Sequence, residues 1–289
     1  MGANNMRDIK RRIKSITSTE HITNAMKLVS SAKLRKAKRT FEKTREYFHY
    51  VTESIEEIFN NTSEVPEQYL EGNREIKTTA YIIITSCRGL CGSFNINVIK
   101  EAQKEIDKDW EEPVIIAVGT KGKEYFERRG YKIQSEYISP PENISFVETH
   151  DISKPIIDMY DSGQIDEVVL IYTSFVSGIE QRVRTVTLLP FSIERDPEIE
   201  PLGKQVEYEP SAAAVFNYLV PKYVEIMIYG AIVESATCEH AARRIAMENA
   251  TDNARDMLDN LTLYYNRARQ AAITNELSEI VGGAEALKG

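Results

Sequence analysis

The chain has 289 residues, 42% of them hydrophobic and 28% charged, which fits one or two globular domains. No apolar run approaches the roughly 20 residues of a membrane span. The opening MGANNMRDIKRRIK lacks the apolar stretch of a signal peptide, so a cytosolic chain is expected. The net charge of −8 hides a polarity: residues 1–50 carry 13 Lys and Arg against 4 Asp and Glu, whereas residues 51–210 carry 16 against 30. A basic segment on an otherwise acidic chain reads as a contact surface for something acidic.

From Arg7 to about Asn60 there is neither Gly nor Pro. Ile9, Ile13 and Ile16 recur at helical spacing, as do Ile22, Met26, Val29 and Ala32, and then Leu34, Ala37 and Phe41. One long helix is expected. Ser15–Thr23, SITSTEHIT, breaks the apolar pattern with hydroxyl and β-branched residues. A seam polar at that point tolerates sliding better than a dry leucine core; the alternative is a solvated face.

Residues 61–75 form a polar linker with Pro66 and Gly72. The period then changes. Strands are expected at Thr78–Ser86, Pro113–Gly119 and Glu167–Phe175, and helices at Asn95–Trp110, Lys121–Arg129 and Ile152–Ser162. This alternation predicts an α/β fold with a mostly parallel sheet, Rossmann-like in kind. Val183–Phe191 adds an edge strand, since it ends at Pro190. An acidic loop runs from Glu194 to Pro210.

From Ser211 to Val281 there is one proline, Pro221, and one internal glycine, Gly230. An unbroken helix of that size is roughly 100 Å long. Met247, Ala250, Ala254, Met257, Leu261, Tyr264, Ala268 and Ala271 alternate spacings of three and four, a heptad seam whose small residues admit a close partner. The expected division is therefore 1–60, a coiled-coil helix; 61–210, an α/β domain; and 211–289, a second coiled-coil helix. The economical arrangement pairs the terminal helices as a long antiparallel coiled coil. Beyond Ala271 the heptad lapses at Asn275 and Ser278, as in a helix tip without a permanent partner.

No catalytic constellation stands out. Ser86–Asn95, SCRGLCGSFN, is a Gly-rich turn between strand and helix, but it lacks G-x-G-x-x-G and a P-loop lysine. Gly119–Lys123, GTKGK, likewise reads as a plain turn. Cys87, Cys91 and Cys238 are an odd set, expected to be reduced thiols, and no third or fourth zinc ligand accompanies Cys87 and Cys91. His21, His49, His150 and His240 show no metal pairing. No cofactor and no metal are expected. Lys27–Arg39 is basic, but without interleaved aromatics it is read as a surface for an acidic protein, not for nucleic acid. The competing reading of the whole chain is a nucleotide-binding α/β protein with coiled-coil arms.

The run Ala268–Ala284, ARQAAITNELSEIVGGA, resembles the I-T-x-E-x-x-E-x-x-x-G-A signature of the F-type ATP synthase gamma subunits, the bacterial type. Ala250–Ala254, Tyr265–Gln270, Ile22–Ala37 and Arg88–Asn95 resemble other segments of that family in order. The resemblance implies a central rotor subunit, noncatalytic alone, that couples ion-driven rotation of a membrane c ring to ATP synthesis or hydrolysis on three alpha and three beta subunits. It also implies one copy per complex, contacts with epsilon and the c ring, and a peripheral place on the cytoplasmic face of the bacterial membrane. Carried over by position, Arg269, Gln270 and Thr274 would form a polar catch on beta, and Met26 and Lys27 would lie near an acidic loop of beta. Tyr208 and Glu209 would belong to the foot facing epsilon and the c ring. His21 and Asn24 stand where relatives often carry Lys, which would soften an electrostatic contact. Cys87 stands where Asp is common, and the chloroplast-type cysteine insertion is absent.

Overall fold

The computed structural model describes residues 2–61, 66–70, 76–108, 112–140, 143–191, 209 and 211–286. Helix α1 runs Gly2–Asn61, β1 Thr79–Ile84, α2 Phe94–Ile106, β2 Val114–Val118 and α3 Thr120–Arg128. Then come β3 Ile133–Tyr137, α4 Phe146–Asp161, β4 Glu167–Phe175, β5 Gln181–Leu189 and α5 Ala212–Ala286. The chain falls into two compact units, Met1–Ser30 with Arg244–Gly289, and Ser31–Arg243. Both long helices contribute to both units.

In the unit Ser31–Arg243 the five strands lie in the order β3-β2-β1-β4-β5. The first four are parallel and β5 runs antiparallel along β4, at the edge. Every residue of β1 is buried, as a central parallel strand covered on both faces requires. Alternate side chains serve opposite faces. Ala80, Ile82 and Ile84 join Ile152 and Ile156 of α4 and Phe216, Val220, Val224 and Ile228 of α5. Tyr81 and Ile83 join Val98 and Ala102 of α2 and Phe126 of α3.

No residue of α5 between Val224 and Ala241 is exposed. A helix buried all round needs cover on more than one side. The sheet core supplies one side and α1 another. The closest approach is at Gly230, where an added Cβ would lie 2.8 Å from Phe48 Cε2. Gly230→Ala is therefore expected to cost about 1–3 kcal/mol by overpacking. Phe48→Leu in the same chain should recover part of that cost, whereas independent effects would simply add; thermal denaturation of the four variants of the cycle checks this.

The elements match the sequence expectation with two differences. Strand β3 was not anticipated: it is a five-residue edge strand with two side chains exposed and three half-buried, too short for its alternation to stand out. Helix α4 begins six residues before Ile152. Ser145 caps it: its Oγ accepts from Glu148 N at 3.3 Å, while Glu148 Oε2 accepts from Ser145 N at 2.7 Å. That capping box stabilises a first turn whose His150 and Thr149 obscure the apolar period.

Candidate functional site

The unit formed by residues 1–30 and 244–289 is a pair of helices. Its direction follows from two contacts. Thr251 Oγ1 lies 2.9 Å from Thr23 Oγ1, and Arg255 Nε donates to Glu20 Oε1 at 3.2 Å. The lower-numbered partner on α1 meets the higher-numbered one on α5, so the helices are antiparallel.

The buried and half-buried positions of α1 here include Met6, Ile9, Ile13, Ile16, Glu20, Thr23, Lys27 and Ser30, spaced three and four apart throughout. On α5 they include Met247, Thr251, Ala254, Leu258, Leu261, Tyr265, Ala268 and Ala272. These corrections matter. Ile22 and Val29 are 58% and 57% exposed, not part of the seam, while Thr23 and Ser30 are buried. On α5, Thr251, Leu258, Tyr265 and Ala272 take the places expected for Ala250, Met257, Tyr264 and Ala271. The phase is set by Ile9 and Ile13 before the polar stretch and Ile16 at its start. Eighteen residues, five alternating steps, carry that phase from Ile16 to Leu34, which is half-buried in the other unit.

Over residues 20–30 the polarity is thus inverted. Polar groups face the helix partner, while Ile22, Leu28 and Val29 face out. Three of the interior polar groups, Glu20, Thr23 and Thr251, are partnered. Thr251 Oγ1 also lies 2.7 Å from Met247 O, and Thr23 Oγ1 lies 3.1 Å from Glu20 O. Two hydroxyl protons serve three oxygen pairs, so one threonine releases its helix carbonyl whenever the threonine–threonine bond forms. Arg255 completes the set, pairing Glu20 at 3.1 Å and Asp252 at 3.4 Å.

The predicted site residues fall into separate places. Met26 and Lys27 are half-buried on α1, and Lys27 sits on the seam itself. Arg269, Gln270 and Thr274 are exposed together on α5, with Thr274 Oγ1 donating to Gln270 O at 3.0 Å. In the antiparallel pairing Lys27 stands near Met247, so about 22 residues, roughly 33 Å of helix, separate the two groups. From Ile273 to Ala284 every residue is exposed, including Ile273, Leu277, Ile280 and Val281. The expectation of a tip without a helix partner holds within this unit. Glu209 is exposed, and Tyr208 lies outside the described residues, as does most of the acidic loop.

In the other unit the Gly-rich turn is closed on itself. Leu90 and Gly92 take left-handed backbone angles, φ 63° and 60°. Asn95 Oδ1 accepts from Ser86 N at 2.9 Å, Asn95 Nδ2 donates to Ser86 Oγ at 2.7 Å, and Arg243 Nη2 donates to Arg88 O at 3.1 Å. These groups serve the turn's own geometry. The second turn is structural too, with Gly122 N donating to Thr85 Oγ1 at 2.8 Å.

Burial pushes the Cys91 and Cys238 thiols above their ordinary range, whereas Cys87 is only half-buried, its Sγ donating to Ile138 O at 2.9 Å. A neutral-pH alkylating reagent should therefore label Cys87 first, Cys91 more slowly, and Cys238 only on unfolding. Mass spectrometry of timed samples checks the order; simultaneous labelling would contradict it. Among the described residues no three His, Cys, Asp or Glu side chains cluster as metal ligands, and no helix is long and apolar enough to cross a membrane.

Comparison with known proteins agrees with this architecture. A family model described as ATP synthase matches residues 5–287. The chain is 50% identical over 287 residues to the ATP synthase gamma chain of Alkaliphilus metalliredigens, covering 98% of this chain and 99% of the relative. It is 43% identical over 302 residues to the sodium ion specific ATP synthase gamma chain of Acetobacterium woodii, covering 99% of each. Its fold is similar to a chain of the Euglena gracilis mitochondrial ATP synthase, with a TM-score of 0.71 at 19% identity over 99% of this chain and 95% of that one. A chain of the Tetrahymena thermophila central stalk and c ring gives a TM-score of 0.61 at 25% identity, over 79% of this chain and 99% of that one. With a Rossmann-like sheet, an antiparallel pair of terminal helices and relatives of nearly equal length, the chain belongs to the ATP synthase gamma-chain family.

Proposed function

We propose that this gamma chain works as the central rotor of its ATP synthase, noncatalytic alone, turning inside three alpha and three beta subunits. The observation that carries the reading is the inverted polarity of residues 20–30. A helix pair that turns Glu20, Thr23 and Ser30 inward and Ile22, Leu28 and Val29 outward buries its apolar groups only when something surrounds it. The exposed stripe at the end of α5 makes the same demand. A rotor must bias each surrounding site by differential affinity without holding one angle. Modest apolar patches on several sides of a slender helix pair suit that requirement.

In this reading Arg269, Gln270 and Thr274 contact beta through a guanidinium fork and short polar groups. Met26 and Lys27 face an acidic segment of beta. Glu209, with Tyr208, belongs to the part facing epsilon and the c ring. The working parts are then the 1–60 and 211–289 helices as shaft and the 61–210 domain as base, held at the cytoplasmic face of a bacterial membrane only through the complex. The nucleotide-binding alternative is not favoured, because the Gly-rich turn carries no P-loop lysine and its Ser86 N and Asn95 amide are engaged with each other.

Mixing the full chain with alpha and beta subunits tests this. Assembly into one complex containing a single copy, with ATPase activity absent from the chain alone, is expected. Failure to assemble, or nucleotide hydrolysis by the isolated chain, would overturn it.

A further inference from the structure

One cleft in the unit Ser31–Arg243 has no part in the rotor reading. It has a volume of about 370 Å³ and lies where α1, α5 and the β4–β5 pair converge. Three of its walls follow from sequence spacing. Phe41, Arg45 and Phe48 are four and three apart on α1 and therefore share one face. Arg184 of β5 is the cross-strand neighbour of Tyr172 on β4. Phe175, at the end of β4, meets Phe41 edge to face at 6.0 Å between ring centres.

The charges in the cleft are unequal. Its carboxylate, Glu234, is already engaged: Oε1 accepts from Ser174 Oγ and from Phe175 N, each at 2.8 Å. The Tyr172 phenol lies within electrostatic reach of both Glu234 and Arg184. Arg45, by contrast, makes no hydrogen bond or ion pair with any described residue. Arg45 and Arg184, from different elements, thus line a space shared with Phe41, Phe48 and Phe175, and one oxygen of its single carboxylate is taken up by two protein donors.

We propose that this cleft binds a small anion carrying a planar aromatic ring, with Arg45 and Arg184 on the anionic group and the phenylalanines against the ring. Guanidinium groups match a carboxylate or phosphate in bidentate fashion, and ring faces or edges pack against Phe without a polar partner. The volume stands at the low end for ligand clefts, too large for a bare oxyanion and sufficient for one ring system with one charged group. The cleft belongs to the unit that does not contain Arg269, Gln270 or Thr274, so its failure leaves the rotor reading intact.

Calorimetric titration of the full chain decides the matter, with adenosine monophosphate as the probe and adenosine and inorganic phosphate as the separated halves. The monophosphate should bind at least tenfold more tightly than either half. Arg45→Gln, at an exposed position without a partner among the described residues, should weaken it at least tenfold with unchanged helicity. Arg184→Gln should do the same, with circular dichroism reporting whether the strand pair is intact. No binding of the monophosphate, equal binding of either half, or undiminished binding by Arg45→Gln would overturn the proposal.

Discussion

Aspartate at both Ile22 and Val29 is expected to reduce coupled ATP turnover of the reconstituted complex at least tenfold while leaving the isolated chain folded. Both residues are more than half exposed and off the seam, so the free chain loses little packing. In a complex that encloses the helix pair, each aspartate must be desolvated against an apolar wall. An unpartnered buried charge costs several kcal/mol, and 1.4 kcal/mol already amounts to a factor of ten. Thr23→Asp supplies the opposite signature. Thr23 is buried against Thr251, so its replacement should lower the helicity or thermal midpoint of the free chain itself. The two variants separate an outward-facing from an inward-facing position only one residue apart. Full coupled activity in the Ile22 and Val29 double variant would count against an enclosing partner there.

Gly119→Ala is expected to destabilise the unit Ser31–Arg243 by about 3–4 kcal/mol, from left-handed strain plus overpacking. Gly119 has φ 93°, and a Cβ there would stand 2.1 Å from Thr85 O and 2.7 Å from Thr85 C. Those are backbone atoms of the central strand region, fixed by Thr85 N donating to Val118 O at 2.8 Å, so neither can yield. Gly130 is the control. Its φ is 88°, yet nothing lies within 4 Å of an added Cβ. Gly130→Ala should therefore show the conformational cost alone, about 1 kcal/mol. Urea denaturation of both variants measures the difference, and equal losses would mean that the Thr85 backbone gives way.

Alkaline pH addresses the same unit. Burial, aided by the Asp161 carboxylate at 2.9 Å, raises Tyr69 to about 12, and burial beside Glu234 raises Tyr172 to about 12. Both phenols stay protonated in the fold at a pH where free tyrosine ionises. Their contribution is complete below pH about 10 and is lost as pH rises toward about 12. Stability measured across that window should fall, and Tyr172→Phe should flatten the fall; an unchanged slope in the variant would contradict it.

Much of this was legible in the sequence because backbone periods are local. The strand Glu167–Phe175 and the long helices announce themselves through apolar spacing and the absence of Gly and Pro. The start of α4 was hidden because one capping box, Ser145 with Glu148, outweighs an irregular apolar period. The seam was harder for a different reason. Ile22, Met26 and Val29 form a plausible helical stripe, and nothing local distinguishes a stripe facing a helix from one facing another subunit. The distinction lies in phase: Ile16 and Leu34 are 18 residues apart, and the alternating steps between them land on Glu20, Thr23, Lys27 and Ser30. Reading the heptad from both flanks would have exposed the inversion. Tyr208 and its loop carry no such periodic signal, and their place rests on family resemblance alone.

Rotation itself is the most direct test. The alpha and beta subunits would be fixed to a surface and a visible probe attached to an exposed residue of the α/β part, such as Lys104. On addition of ATP the probe is expected to turn in one direction, pausing at three angles. A probe that stays at one angle while the complex hydrolyses ATP would contradict the rotor function.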